Sequence, residues 1–163
     1  MSSDADAAAA TGRTDIACRV IPASAERVYA AFADGEAVMR WLPPGNMTGR
    51  ALAYDFRVGG VYRIELRFRD GEGAGKTTGD SDVSKGRFIE LVPGRAIRQT
   101  VEFESDDPEL ARGMTMAWRF EPRGGETEVT VTAAGVPAAI GKKDHLAGLN
   151  ASLDNLARFV ARA

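Results

Sequence analysis

The sequence predicts an α+β fold: a curved antiparallel sheet of about seven strands wrapped around one long C-terminal helix, with two short helices after the first strand. Three observations lead there. From Leu52 to Ala133, apolar and polar residues alternate in segments divided by turn residues, the mark of antiparallel strands with one wet face. The last segment instead repeats Leu146, Leu149, Leu153, Leu156 and Val160 at helical spacing. Between the opening strand and the alternating region lie two short apolar stripes with helix-start and helix-stop signals.

The elements follow in order. Ile16 to Ile21 is short and β-branched, with Ile16, Cys18 and Val20 read as its apolar face; Pro22 stops it. Ser24 is the N-cap of a helix over Ala25 to Ala33, in which Val28, Ala31 and Phe32 form one stripe. Glu36 to Leu42 forms a second helix that Pro43-Pro44 ends. Leu52, Tyr54, Phe56 and Val58, then Tyr62, Ile64, Leu66 and Phe68, are the inward residues of a hairpin turning at Gly59-Gly60.

Four more strands follow, over Gly86 to Val92, Ile97 to Glu104, Met114 to Glu121 and Glu126 to Ala133. Pro93-Gly94, Asp106-Asp107-Pro108 and Gly124-Gly125 separate them. The long helix must cover the sheet, because no other element is long enough. A curved sheet gripping one helix leaves a space between them, and the two short helices cap its mouth. Gly148, inside that helix, costs about 1 kcal/mol relative to alanine, which points to a close approach or to simple tolerance.

Composition narrows the function. The chain has 163 residues, enough for one domain with a real core. Lys and Arg total 21 against 23 Asp and Glu, a net charge of −2, which disfavours a nucleic-acid partner. No apolar run is long enough to insert in a membrane, and a single cysteine makes no intramolecular disulfide. Residues 1–13 read as a disordered tail without signal-peptide features, residues 14–163 as a single domain, and the location as cytoplasmic.

Motifs that would carry a cofactor or metal fall short. Gly71-Glu-Gly-Ala-Gly75-Lys76-Thr77 approximates a phosphate loop, but its spacing is one residue short and no helix follows, so it reads as a flexible hairpin loop. The stretch from Asp70 to Lys85 has Val83 as its one large apolar residue and reads as outside the core; Asp80, Asp82, Asp106 and Asp107 read as solvated turn carboxylates. One Cys and one His give no metal site, and Cys18 reads as a buried inert thiol. The charged residues Asp55, Arg57, Arg63, Glu65, Arg67 and Arg69 form the wet face of the first hairpin.

Several segments together resemble a known family. They are Val20-Ile-Pro-Ala-Ser-Ala-Glu-Arg-Val28, Trp41-Leu-Pro-Pro44 with Gly45 to Gly49, and Asp55-Phe-Arg-Val-Gly-Gly60. Gly86-Arg-Phe-Ile-Glu-Leu-Val-Pro93 and Asp144-His-Leu-Ala-Gly-Leu149 with Ser152-Leu153 complete the set. In order and spacing they resemble the START-like (helix-grip) superfamily, and within it the homologues of the activator of heat-shock-protein ATPase. The resemblance implies a fold and a cavity rather than a reaction, since the superfamily includes lipid and polyketide binders, aromatase/cyclases and cochaperones.

The expected cavity wall comprises Trp41, Met47, Tyr54, Phe56, Tyr62, Phe88, Phe103, Met114, Met116, Trp118 and Phe120, with Leu149 and Leu153 from the helix. Glu90 shares a face with Phe88; if Phe88 points inward, Glu90 is a buried carboxylate that needs a partner, an arginine or His145 near the cavity mouth. The leading reading is a binder of a small hydrophobic molecule, with no cofactor, and it leans away from catalysis. Two alternatives stand beside it: a cyclase/aromatase- or hydrolase-like enzyme using His145 and Glu90, and a chaperone- or stress-related interaction module. Every strong apolar stripe reads as consumed by the core, against the interaction module, while the edge strands leave room for a homodimer.

Overall fold

The computed structural model describes residues 12–69 and 81–161. The tail residues 1–11 and the glycine-rich loop with its phosphate-loop-like sequence lie outside the described residues. Seven strands form one sheet: β1 (Arg13–Ile21), β2 (Met47–Tyr54), β3 (Val61–Phe68), β4 (Ser81–Val92), β5 (Ala96–Phe103), β6 (Met114–Arg123) and β7 (Glu126–Val136). They lie in the order β1-β7-β6-β5-β4-β3-β2, antiparallel throughout. Strands β2 to β7 are sequential neighbours, and β1 closes onto β7 from the other end of the chain.

The helices are α1 (Ala25–Ala30), α2 (Gly35–Trp41), α3 (Pro108–Arg112) and α4 (Lys142–Ala161). Ser24 caps α1 by accepting from the Arg27 amide at 3.2 Å. The Asp106-Asp107-Pro108 turn is also a helix start, which the sequence reading did not anticipate: the Asp107 carboxylate accepts from the Glu109 amide at 2.9 Å and begins α3. The long helix α4 buries Leu149, Leu153, Leu156 and Val160 in one core with Ile97, Trp118, Phe120, Val129 and Val131 of the sheet. Each such side chain contributes about 1.5–3 kcal/mol on leaving water.

Four readings need correction. Arg13 belongs to β1 rather than to the tail, pairing with Val136. The faces of β1 are reversed: Asp15, Ala17 and Ile21 are buried, whereas Ile16 is 56% exposed, Val20 43% exposed, and Cys18 exposed. The inward face of β1 lies beside α4, where the charges of Asp15 and Arg19 find partners and cost nothing unpaired. Apolar surface is therefore not all consumed by the core.

Irregular register shifts account for the third correction. One between Ala51 and Ala53 of β2 leaves Leu52 exposed, and β2 ends at Tyr54, so Val58 sits exposed in the turn. Another between Phe88 and Glu90 lets Phe88 point inward while Ile89 and Glu90 are both exposed. An extra residue in one strand inverts the inward set beyond it. Finally, Ser81, Asp82, Val83 and Ser84 are buried at the start of β4, not part of a solvated loop.

Candidate ligand cavity

A cavity of about 850 Å³, half-open to solvent, lies between the inner face of β3 to β6 and the first half of α4. Its mouth is framed by the end of α2 with Leu42 to Met47, and by Ala139 to Gly141 before α4. The rest of α4, from Leu153 to Val160, packs directly on the sheet. The same helix therefore roofs an empty space at its start and seals a core at its end.

Hydrogen bonds fix the mouth. Ser152 Oγ donates to the Leu42 carbonyl at 2.6 Å, and Asn155 Nδ2 to the Pro43 carbonyl at 3.0 Å, tying the segment after α2 to α4. Trp41 Nε1 donates to the Ala31 carbonyl at 3.0 Å, joining the two short helices. The Arg27 side chain donates to the Val160 carbonyl and satisfies the far end of α4. Phe32 stacks edge-on against Trp41 and Trp118, with ring centroids 4.7 and 5.0 Å apart, and makes the cavity floor rigid.

Of the residues expected at the cavity, Trp41, Met47, Tyr54, Tyr62, Phe103, Met114, Met116, Trp118, His145 and Leu149 line it. The others are elsewhere. Phe56 and Phe88 pack with Tyr54 in an aromatic cluster behind the wall, and Leu153 and Phe120 are core. Glu90 is exposed opposite Arg98, so the expected Glu90–His145 pair is not formed.

His145 instead meets Asp15. Its Nδ1 lies 2.7 Å from the Asp15 carboxylate, which is 1% exposed and also receives the Arg13 guanidinium at 2.9 to 3.1 Å. Burial pushes the Asp15 carboxyl upward, but hydrogen bonds from Arg13 and His145 outweigh it and hold it below its ordinary value. The sequence reading missed Asp15, Asp82, Ser84 and Gln99. No signal marked Asp15: it precedes the strand as read from the sequence, in phase with the face opposite Ile16, Cys18 and Val20, and its partner lies at the other end of the chain.

Several other polar groups of the wall are engaged with protein partners. Trp118 Nε1 donates to Gln99 Oε1 at 3.2 Å, Tyr54 Oη to the Phe32 carbonyl at 2.6 Å, and Tyr62 Oη to the Thr100 carbonyl. Burial pushes both tyrosine hydroxyls above their ordinary range, so they remain protonated donors. Among the described residues, no group of three or more His, Cys, Asp or Glu is placed to hold a metal ion. No described helix is long and apolar enough to cross a membrane.

A family model described as Activator of Hsp90 ATPase homolog 1-like protein matches residues 22–161. The chain belongs to this family. A crystal structure of a protein from Chromobacterium violaceum is 34% identical, covers 90% of this chain and 96% of its own, and superposes with a TM-score of 0.79. Two others share the fold. A solution structure from Staphylococcus epidermidis is 16% identical over 93% of this chain and 91% of its own, with a TM-score of 0.73. A solution structure of an AHSA1-like protein from Aeromonas hydrophila is 20% identical over 90% of this chain and 92% of its own, with a TM-score of 0.65. No curated protein matches the chain. The resemblance read from the sequence is thus borne out for family and fold, and the helix-grip architecture is that of this AHSA1-like family.

Proposed function

We propose that this AHSA1-like protein binds a small hydrophobic molecule between its sheet and its C-terminal helix. The observation that carries the reading is the unfilled space of about 850 Å³ behind a fixed mouth. That volume falls in the range of ligand pockets, and walls of this kind, apolar with few polar groups, are what such pockets use. Trp41, Tyr54, Tyr62 and Trp118 supply rigid aromatic surface, Met47 and Met116 adaptable surface, and His145 a polar contact.

Native mass spectrometry of freshly purified protein, followed by denaturing analysis of an organic extract, tests the reading. A molecule released only on unfolding supports it. Protein that carries none and also takes up no apolar fluorophore such as 1-methoxypyrene overturns it.

A second reading, self-association, draws on one observation: β1 is an edge strand whose outer face exposes Ile16 and Val20. Sedimentation velocity decides it, a concentration-dependent dimer weakened by Ile16→Lys being the supporting result and a monomer at all concentrations the opposing one.

A further inference from the structure

We propose that the occupant of the cavity is a neutral apolar molecule carrying a hydroxyl group, which donates its hydrogen bond to Nε2 of His145. The proposal rests on the cavity being a binding site and adds the chemistry of what enters it.

The proton logic begins at Asp15. An ionised carboxylate accepts and never donates, so the 2.7 Å contact requires a proton on Nδ1 of His145. In the neutral ring that leaves Nε2 with a lone pair. Asp15 already has a cation, Arg13, on its other side, so the carboxylate does not depend on a charged imidazole for its neutralisation. The buried Asp15 thus acts as a positioning residue that sets the tautomer and aims the ring, while His145 lines the cavity.

Nε2 is available. The structure gives the His145 side chain one hydrogen bond, through Nδ1, and no partner for Nε2 among the described residues. Gln99 Oε1, Ser152 Oγ and the two tyrosine hydroxyls are by contrast already engaged with protein partners.

The charge of the described wall disfavours the other common class of amphiphile. Its acidic residues are Asp82 and Asp144, and no Lys or Arg lines the cavity among the described residues. A fatty-acid carboxylate or a phosphate would find no guanidinium or ammonium partner among these described lining residues. A neutral donor needs no such partner.

The test compares 1-hydroxypyrene with 1-methoxypyrene, equal in ring system and differing in the donor. Wild-type protein is expected to bind the hydroxyl compound about 3–10-fold more tightly, the span of one neutral hydrogen bond. His145→Phe keeps a planar ring without Nε2 and should reduce that ratio to about 1 while 1-methoxypyrene still binds. Asp15→Ala removes the acceptor that holds the proton on Nδ1, frees the ring to take either tautomer, and should also weaken the hydroxyl preference. A merely structural role for Asp15 would lower both affinities together and leave the ratio intact.

A wild-type ratio near 1, or a ratio preserved in His145→Phe, overturns the proposal. Binding of neither probe by wild-type protein overturns the cavity reading and this proposal with it, so the two failures are told apart. Thermal unfolding of each variant checks folding, and if Asp15→Ala does not fold, His145→Phe alone decides.

Discussion

Asp15 and His145 lie 130 positions apart in the chain and meet at 2.7 Å, joining the edge strand β1 to the first turn of α4. This contact, with Arg13 beside it, lets a carboxylate sit fully inside the protein. Removing one donor from a buried anion costs more than an average hydrogen bond, so His145→Ala should lose about 1.5–3 kcal/mol in urea unfolding at neutral pH.

The same contact predicts an acid response. The folded Asp15 carboxyl lies below the ordinary 3.8 that it has in the unfolded chain. Its contribution to stability is therefore fully present above that value and is lost as pH falls through the lower folded value. Urea midpoints from about pH 5 to about pH 2.5 should show the gap between wild type and His145→Ala narrowing at the acid end. A gap that widens there would contradict the sign.

Gly148 lines the cavity from within α4, and an added Cβ would meet nothing within 4 Å. Of the two explanations open from the sequence, close approach is thus removed. Gly148→Ala should raise stability by about 0.5–1 kcal/mol, read from thermal unfolding. Gly148→Phe should keep the fold but project a ring into the space, weakening the fluorescence change with 1-methoxypyrene.

Leu153→Ala separates core from cavity. Leu153 is fully buried and does not line the space, so truncation should cost about 2–5 kcal/mol. The affinity for 1-methoxypyrene, measured at a temperature where the variant is folded, should stay close to wild type.

Cys18 offers a test of how β1 is oriented. The thiol is exposed, donating to Glu128 Oε2 at 3.4 Å and accepting from Thr130 Oγ1 at 3.6 Å. A colourimetric thiol reagent should modify the native protein to completion without denaturant. Complete protection until unfolding would place the thiol inside and reverse the two faces of the strand.

The architecture was legible because alternation in β3, β5, β6 and β7 and the leucine stripe of α4 each state a period that only one element satisfies. What failed was phase. In β1 the apolar side chains Ile16 and Val20 lose the inner face to Asp15 and Ala17, because Arg13 and His145 supply what the carboxylate needs. In β4 the shift after Phe88 turns Glu90 outward, and nothing in Phe-Ile-Glu announces an extra residue. Ser81 to Ser84 was misread for a different reason. Asp82 and Ser84 face a cavity rather than packed side chains, and a wall that holds space carries no obligation to be apolar.

The divided role of α4 gives the helix two different degrees of amide protection. Over Leu153 to Val160 every inward side chain is clasped by the sheet, so those amides should exchange with deuterium only through global unfolding. From Asp144 to Gly148 the helix flanks open space and is held by His145 on Asp15 and by the half-buried Leu146 on the core, so it should open locally and exchange faster. Entry and exit then need no movement of the sheet: the first turns of α4 can fray while the remainder stays docked. An occupant would supply the missing underside of those turns, and slowed exchange confined to that stretch is the footprint it should leave.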